Sequence, residues 1–459
     1  MRHLSLFLRA LAPLIAALTA FACADPESHP PAAPNVVLFV ADDQGLFLGA
    51  YGSDWVSTPH LDRLAAGGLV FDGAYAVTAV CTPSRAALYT GQFPAGNGCA
   101  GFDPIGEGVP VWADLLGPAG YRTGLIGKLG GKPLERFHFD FFARALPNDE
   151  GARSASWFDE KLRAFLAQDD GRPFCLVVNL RDAHYPFPTD GAPTGVPGEV
   201  PHDPALVQVP GFLPDLPAVR GELARYADSV RRLDATVGRM LQTLDGSVER
   251  DGLLVLHTSD HGSPFPFAKT TLYEAGVRVP LVARWPGTVE PGRRSGALVS
   301  LADVLPTLLE LGGATPPSGL DGRSFAELLR GEREDHRDSI FLSHTSHRVK
   351  PDVPSRALRR ERWKYVRNLR PGATFLNAVM RTSASWRAIE AAAAGDDALA
   401  GRIARLRQRP PEELYDLEVD PFELSNLAGA AAHAATLDAL RKELRAELER
   451  QSDPLLGEW

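Results

Sequence analysis

The chain is poor in cysteine. Four stand in 459 residues, and beyond Cys23 only Cys81, Cys99 and Cys175 remain, an odd number with no metal-type spacing. A disulfide framework is therefore excluded, and Cys175, set inside an apolar run, reads as a buried core thiol. Basic runs are missing too. The net charge of −9 is spread along the sequence, nothing in it would track a phosphate backbone, and no nucleic acid partner is expected. Internal repeats and long low-complexity segments are absent from the mature chain. A single apolar stretch, Leu11–Ala22, follows Arg2 and Arg9 and ends in small residues. It is too short to span a bilayer and reads as a secretory signal over residues 1–24, with residues 25–34 as a tether. Cys23 leaves two outcomes open, a lipid-anchored lipoprotein or a soluble exported enzyme. Both place the protein in the periplasm or cell envelope, with a membrane reached only through that anchor.

What the sequence does have is alternation. Apolar runs short enough for buried parallel strands stand at Val36–Ala41, Thr123–Ile126, Phe174–Leu180, Leu253–Thr258 and Val277–Ala283. Between them lie amphipathic stretches, the clearest being Ala218–Leu244 with Leu223, Tyr226, Val230, Leu233, Val237 and Leu241 at helical spacing. Leu301–Leu311 and Ser324–Leu329 are further helices. This is an α/β pattern over residues 35–335. The pattern then changes to strand-like pieces at Ser339–Ser343, Trp363–Val366 and Glu413–Leu417, an exposed helix within Ser383–Arg407 and a final helix Ala434–Gln451. A second, smaller α+β domain is expected over residues 336–459. The Pro- and Gly-rich segment 183–217 reads as a loop.

Four runs end in polar clusters: Asp42-Asp43, Lys128, His184, and Asp260-His261. In an open parallel sheet ligands bind beyond the carboxyl ends of the strands, so these residues can meet at one rim. Cys81-Thr-Pro-Ser-Arg85 heads a helix that should begin near Pro83 and end at Gly91. Cys81 then stands where unpaired amides and the helix dipole favour an anion, and Arg85, one turn on, can add a bidentate positive charge. A tetrahedral oxyanion such as sulfate fits that need. Adjacent Asp42 and Asp43, brought together by a turn, are hard oxygen donors suited to calcium or magnesium.

Cys81-Thr-Pro-Ser-Arg85 followed by Ala-Ala-Leu-Tyr-Thr-Gly91 resembles the signature of the type I sulfatases. Agreement continues at Asn35-Val-Val-Leu-Phe-Val-Ala-Asp-Asp43, Gly120-Tyr-Arg-Thr-Gly-Leu-Ile-Gly-Lys128, Thr258-Ser-Asp-His-Gly262, Tyr273-Glu-Ala-Gly-Val-Arg-Val-Pro280 and Glu413-Leu-Tyr-Asp-Leu-Glu-Val-Asp-Pro421. Asp42-Asp43-Gln44-Gly45, Pro264-Phe-Pro266 and Lys269-Thr-Thr-Leu-Tyr273 look closest to the heparan N-sulfatases. The resemblance implies an alkaline-phosphatase-like large domain with a mixed, mostly parallel sheet sandwiched by helices, and a C-terminal α+β domain with an antiparallel sheet. It implies that a formylglycine-generating enzyme oxidises Cys81, that one Ca2+ is held by Asp42, Asp43, Asp260, His261 and the modified Cys81, and that the substrate is a sulfated saccharide carrying an N-sulfate or O-sulfate group. Lys128 and Lys269 would bind the sulfate oxygens, and His184 would protonate the leaving group. A His ligand is softer than calcium prefers, which makes His261 the weakest of the set.

One departure stands out. Family members commonly carry His two residues after the lysine matching Lys128, and this chain has Gly130 there; His138 or Lys132 from the same loop are the local substitutes. Two other readings follow from the same residues. One is a phosphoester or phosphonate hydrolase on the related scaffold, since phosphate and sulfate share shape. The other is a catalytically impaired protein that binds sulfated glycans.

Overall fold

A computed structural model describes residues 33–146, 153–188, 200–248 and 252–459. The signal segment, Cys23, most of the tether and part of the 183–217 loop lie outside the described residues. Residues Pro34–Trp459 form one compact unit. No helix among the described residues is long and apolar enough to cross a membrane.

Among the described residues, twelve strands build two sheets. The first eight are β1 (Asn35–Ala41), β2 (Leu69–Tyr75), β3 (Arg122–Gly127), β4 (Phe141–Arg144), β5 (Phe174–Asn179), β6 (Leu253–Ser259), β7 (Leu281–Arg284) and β8 (Arg293–Ser300). They form one sheet in the order β4-β3-β5-β1-β6-β7-β2-β8. All its pairings are parallel except those of β7, which runs antiparallel to both β6 and β2. The central strands β1, β5 and β6 are almost wholly buried, as their unbroken apolar runs require of a sheet covered on both faces. The Pro217–Ser247 helix lays Leu233, Val237, Leu241 and Leu244 on that sheet, and Leu223, Tyr226 and Val230 into a neighbouring core. Each such side chain contributes about 1.5–3 kcal/mol of burial.

The second sheet is antiparallel throughout, in the order β12-β11-β10-β9, from β9 (Ser339–His344), β10 (Ser355–Arg360), β11 (Trp363–Asn368) and β12 (Glu412–Asp416). The Ala434–Gln451 helix packs Leu437, Leu440, Leu444 and Leu448 against it.

Two expectations are corrected. Val277–Ala283 is not one parallel strand: a short helix ends at Val277, Arg278 makes an isolated antiparallel bridge to Tyr75, Pro280 cannot donate to a ladder, and the strand proper is Leu281–Arg284, antiparallel. Ser383–Arg407 is not one exposed helix. It is Ala384–Ala392 and Asp397–Arg407, with Asp396 capping the second, and Trp386 and Ile389 are buried in the core that holds Val219 and Leu223. Four further strands did not stand out as apolar runs: β8 and β10 carry too many polar residues, β4 is only four residues long, and β2 is interrupted by Asp72-Gly73, which coincides with a register shift against β8.

Candidate active site

Because β1, β3, β5 and β6 run parallel, their carboxyl ends share one edge, and the residues just beyond them are stitched together by backbone. Asp42 N–H donates to Asp182 O at 3.1 Å, Asp260 N–H to Ala41 O at 3.0 Å, and Lys128 N–H to Asn179 O at 3.1 Å. Asp43 breaks from the strand with φ 65, a left-handed turn that puts its carboxylate beside that of Asp42 instead of on the opposite face. Its N–H donates to Asp260 Oδ1 at 3.1 Å.

Asp42, Asp43, Asp260 and His261 converge, each offering one donor atom within 4.8 Å of all the others, and all four are buried. Asp42 Oδ1 accepts no hydrogen bond. His261 Nε2 lies 2.8 Å from Asp43 Oδ1 in an arrangement that makes no hydrogen bond. Buried polar atoms without partners are costly, so two at the centre of one cluster mark it as a place for a cation. The group is able to hold a metal ion. Cys81 Sγ is not among those converging atoms; Cys81 lines the cleft alongside.

Cations surround the carboxylates. Lys128 Nζ is 2.5 Å from Asp42 Oδ2, and Lys269 Nζ is 2.6 Å from both oxygens of Asp43. Burial alone would raise the Asp42 carboxyl, but Lys128, His184 and Arg85 outweigh it and hold the group well below the usual range. Asp43 is held down in the same way, burial being overcome by Lys269, His184 and His261. Both lysines stay charged, because these carboxylates outweigh the desolvation that would lower them.

Cys81 opens the Cys81–Thr90 helix, which ends at Gly91 with φ 64 as its left-handed cap. The expected start at Pro83 is two residues late. Arg85, by contrast, does not face the cleft. It is fully buried, with Nε donating to Asp260 Oδ2 at 2.9 Å, Nη1 to Asn179 Oδ1 at 2.6 Å and Nη2 to Ala41 O at 3.3 Å. Its fork is spent on the protein, so it sets Asp260 in place instead of clamping an anion. The Ser84 hydroxyl donates to the Asp260 carbonyl from the same helix.

His184 lines the cleft with Nε2 3.9 Å from Asp43 Oδ2, while its Nδ1 is 2.5 Å from the Tyr185 carbonyl. Burial pushes its pKa below the ordinary value despite the pull of Asp43 and Asp42. Lys132 also lines the cleft. His138 does not: its exposed ring lies 3.8 Å from Asp114, so it is no substitute for the missing histidine. Gly130 itself adopts φ 71, and a Cβ built there would overlap Cδ of Arg85. No side chain fits at that position.

The cleft, about 610 Å³, is completed by residues the sequence did not single out. His347 and Arg348 come from the loop between β9 and β10, and Phe102 from the loop following the short Pro94–Asn97 helix; the His347 and Phe102 rings are 5.4 Å apart, and Arg348 stacks on Phe102. Nothing in apolar periodicity could have found them: His347 and Arg348 are brought in by the second sheet, and Phe102 stands in an irregular loop.

A mostly parallel sheet thus gathers at its carboxyl edge a carboxylate and histidine cluster able to hold a metal ion, two lysines and a helix-terminal Cys, the arrangement of a hydrolase site. The chain belongs to the sulfatase family, which matches residues 34–314, and it is a sulfuric ester hydrolase. The C-terminal family of N-sulphoglucosamine sulphohydrolase matches residues 261–374. Human N-sulphoglucosamine sulphohydrolase is 33% identical, the match covering 89% of this chain and 89% of that one. An ulvan-active sulfatase of Formosa agariphila is 30% identical over 92% of this chain and 81% of its own length. Among solved structures, a putative sulfatase from Bacteroides fragilis shares the fold with a TM-score of 0.72, 22% identity and coverage of 93% and 97%.

Proposed function

We propose that the enzyme removes sulfate from a sulfated sugar, an N-sulfoglucosamine or an O-sulfate ester, using Cys81 oxidised to formylglycine by a formylglycine-generating enzyme and one calcium ion held by Asp42, Asp43, Asp260 and His261. The observation that carries this reading is the convergence of those four donors, two with unpartnered atoms, beside Cys81 in one cleft. Charge supports it. Asp42, Asp43 and Asp260 are matched by Lys128, Lys269 and Arg85, so a divalent ion leaves the site positive and suited to an anion. Bound there, calcium would supply positive charge to the sulfate oxygens and to the nucleophile. Lys128 and Lys269 hold the sulfate oxygens, Arg85 fixes Asp260, and His184 moves a proton at Nε2 on the leaving-group side. The exported, periplasmic or envelope location belongs to the same reading.

The test is the mass of the tryptic peptide containing Cys81, from protein made with a formylglycine-generating enzyme, together with free sulfate released from N-sulfoglucosamine and O-sulfated sugars. An aldehyde at Cys81 and calcium-dependent sulfate release are expected. Much faster turnover of phosphate esters than of any sulfated sugar would sink the reading.

A further inference from the structure

His347 stands in the cleft without an assigned task. Its Nδ1 is buried and has no hydrogen-bond partner among the described residues. The ring is braced by Phe102 and shares the cleft with Cys81, Lys128 and Lys269. The position where relatives commonly keep a histidine beside the nucleophile is Gly130, which has no room for a side chain. His184 already spends Nδ1 on a carbonyl, and His138 is outside the cleft.

We propose that His347, delivered by the second sheet, is the proton acceptor that regenerates the nucleophile. This rests on the formylglycine reading. In the step assigned to it, an imidazole nitrogen takes the proton from the free hydroxyl of the sulfated residue 81. The O–H electron pair forms the aldehyde C=O, and the bond from that carbon to the sulfate ester oxygen breaks, sulfate leaving with its pair. The proton then passes to water. Burial, reinforced by Lys269 and Arg348, pushes His347 down to about 4, so the ring is neutral and able to accept at neutral pH.

The experiment compares wild type with His347→Gln and His347→Ala, all matured at Cys81 and checked for folding by thermal unfolding. kcat should fall about 100-fold, the usual size of a lost general base. The intact mass of the variant mixed with sulfated sugar should show one retained sulfo group that the wild type sheds. A readout that does not need the aldehyde is diethyl pyrocarbonate labelling of the unmodified Cys81 protein: His347 should be labelled, and a sulfated saccharide should protect it. Unchanged kcat with a raised KM, or no retained sulfo group, overturns the proposal and leaves His347 a sugar contact. A His347 that resists labelling overturns it as well. Should aldehyde-bearing wild type neither take up nor release sulfate from any substrate, the functional reading falls, and this inference with it.

Discussion

At the residue scale, Gly130 and Arg85 explain each other. The family's histidine cannot be restored here, because φ 71 and the Arg85 side chain leave no space for a Cβ. Gly130→His is therefore expected to lower stability by about 1–3 kcal/mol and give no gain in kcat. A faster enzyme with an unchanged denaturation midpoint would refute this. Arg85 pairs with Asp260 where both side chains are fully buried. Removing one partner of such a pair leaves an uncompensated charge, so Arg85→Ala should cost about 3–5 kcal/mol, read by chemical denaturation. The sequence pointed to Arg85 as an anion clamp because spacing along a helix says which turn a residue occupies. It does not say whether the side chain meets solvent or a neighbouring carboxylate.

At the element scale, two junctions can be tested. Asp303, where β8 passes into the next helix, is fully buried and takes hydrogen bonds from Ser300 N, Arg323 N and the side chains of His336 and Arg337. Burial would raise its pKa, but Arg337 and His336 bring it down from 3.8 to about 2. A depressed carboxyl stabilises above its unfolded pKa and loses that contribution as pH falls through the folded one. Asp303→Asn should thus cost about 2 kcal/mol at neutral pH, and the gap to wild type should close as pH drops from about 4 to about 2. An unfolding series over that range checks it. Trp386 anchors the Ala384–Ala392 helix in the core with Leu223 of the long helix. Trp386→Ala should cost about 3–5 kcal/mol, measured by thermal unfolding.

At the scale of the whole molecule, two sheets meet at one cleft, and the Asp42, Asp43, Asp260 and His261 cluster gathers the ends of strands that are far apart in the chain. A ligand that binds only the folded state adds RT ln(1 + [L]/Kd), about 2.7 kcal/mol at one hundred times Kd. Calcium should therefore raise the unfolding temperature of wild type and chelation should lower it; Asp42→Asn with Asp43→Asn should abolish the difference. An equal calcium shift in that double variant would place the ion elsewhere.

The central strands, the long helix and the final helix were legible because each is a strong periodic pattern that needs no partner to be recognised. Asp42, Asp43, Cys81, Lys128, His184, Asp260 and His261 stand out locally as polar residues at strand ends and a helix start, and the structure gathers Asp42, Asp43, Asp260 and His261 in one cluster and Asp43, Cys81, Lys128 and His184 in one cleft. Their assembly at one edge followed from the parallel reading. Strands rich in polar residues, the antiparallel β7, the inward turn of Arg85 and the entry of His347 into the cleft were settled only by tertiary structure. In each of those cases the deciding contact joins segments remote in sequence, and local chemistry carries no record of which distant neighbour will arrive.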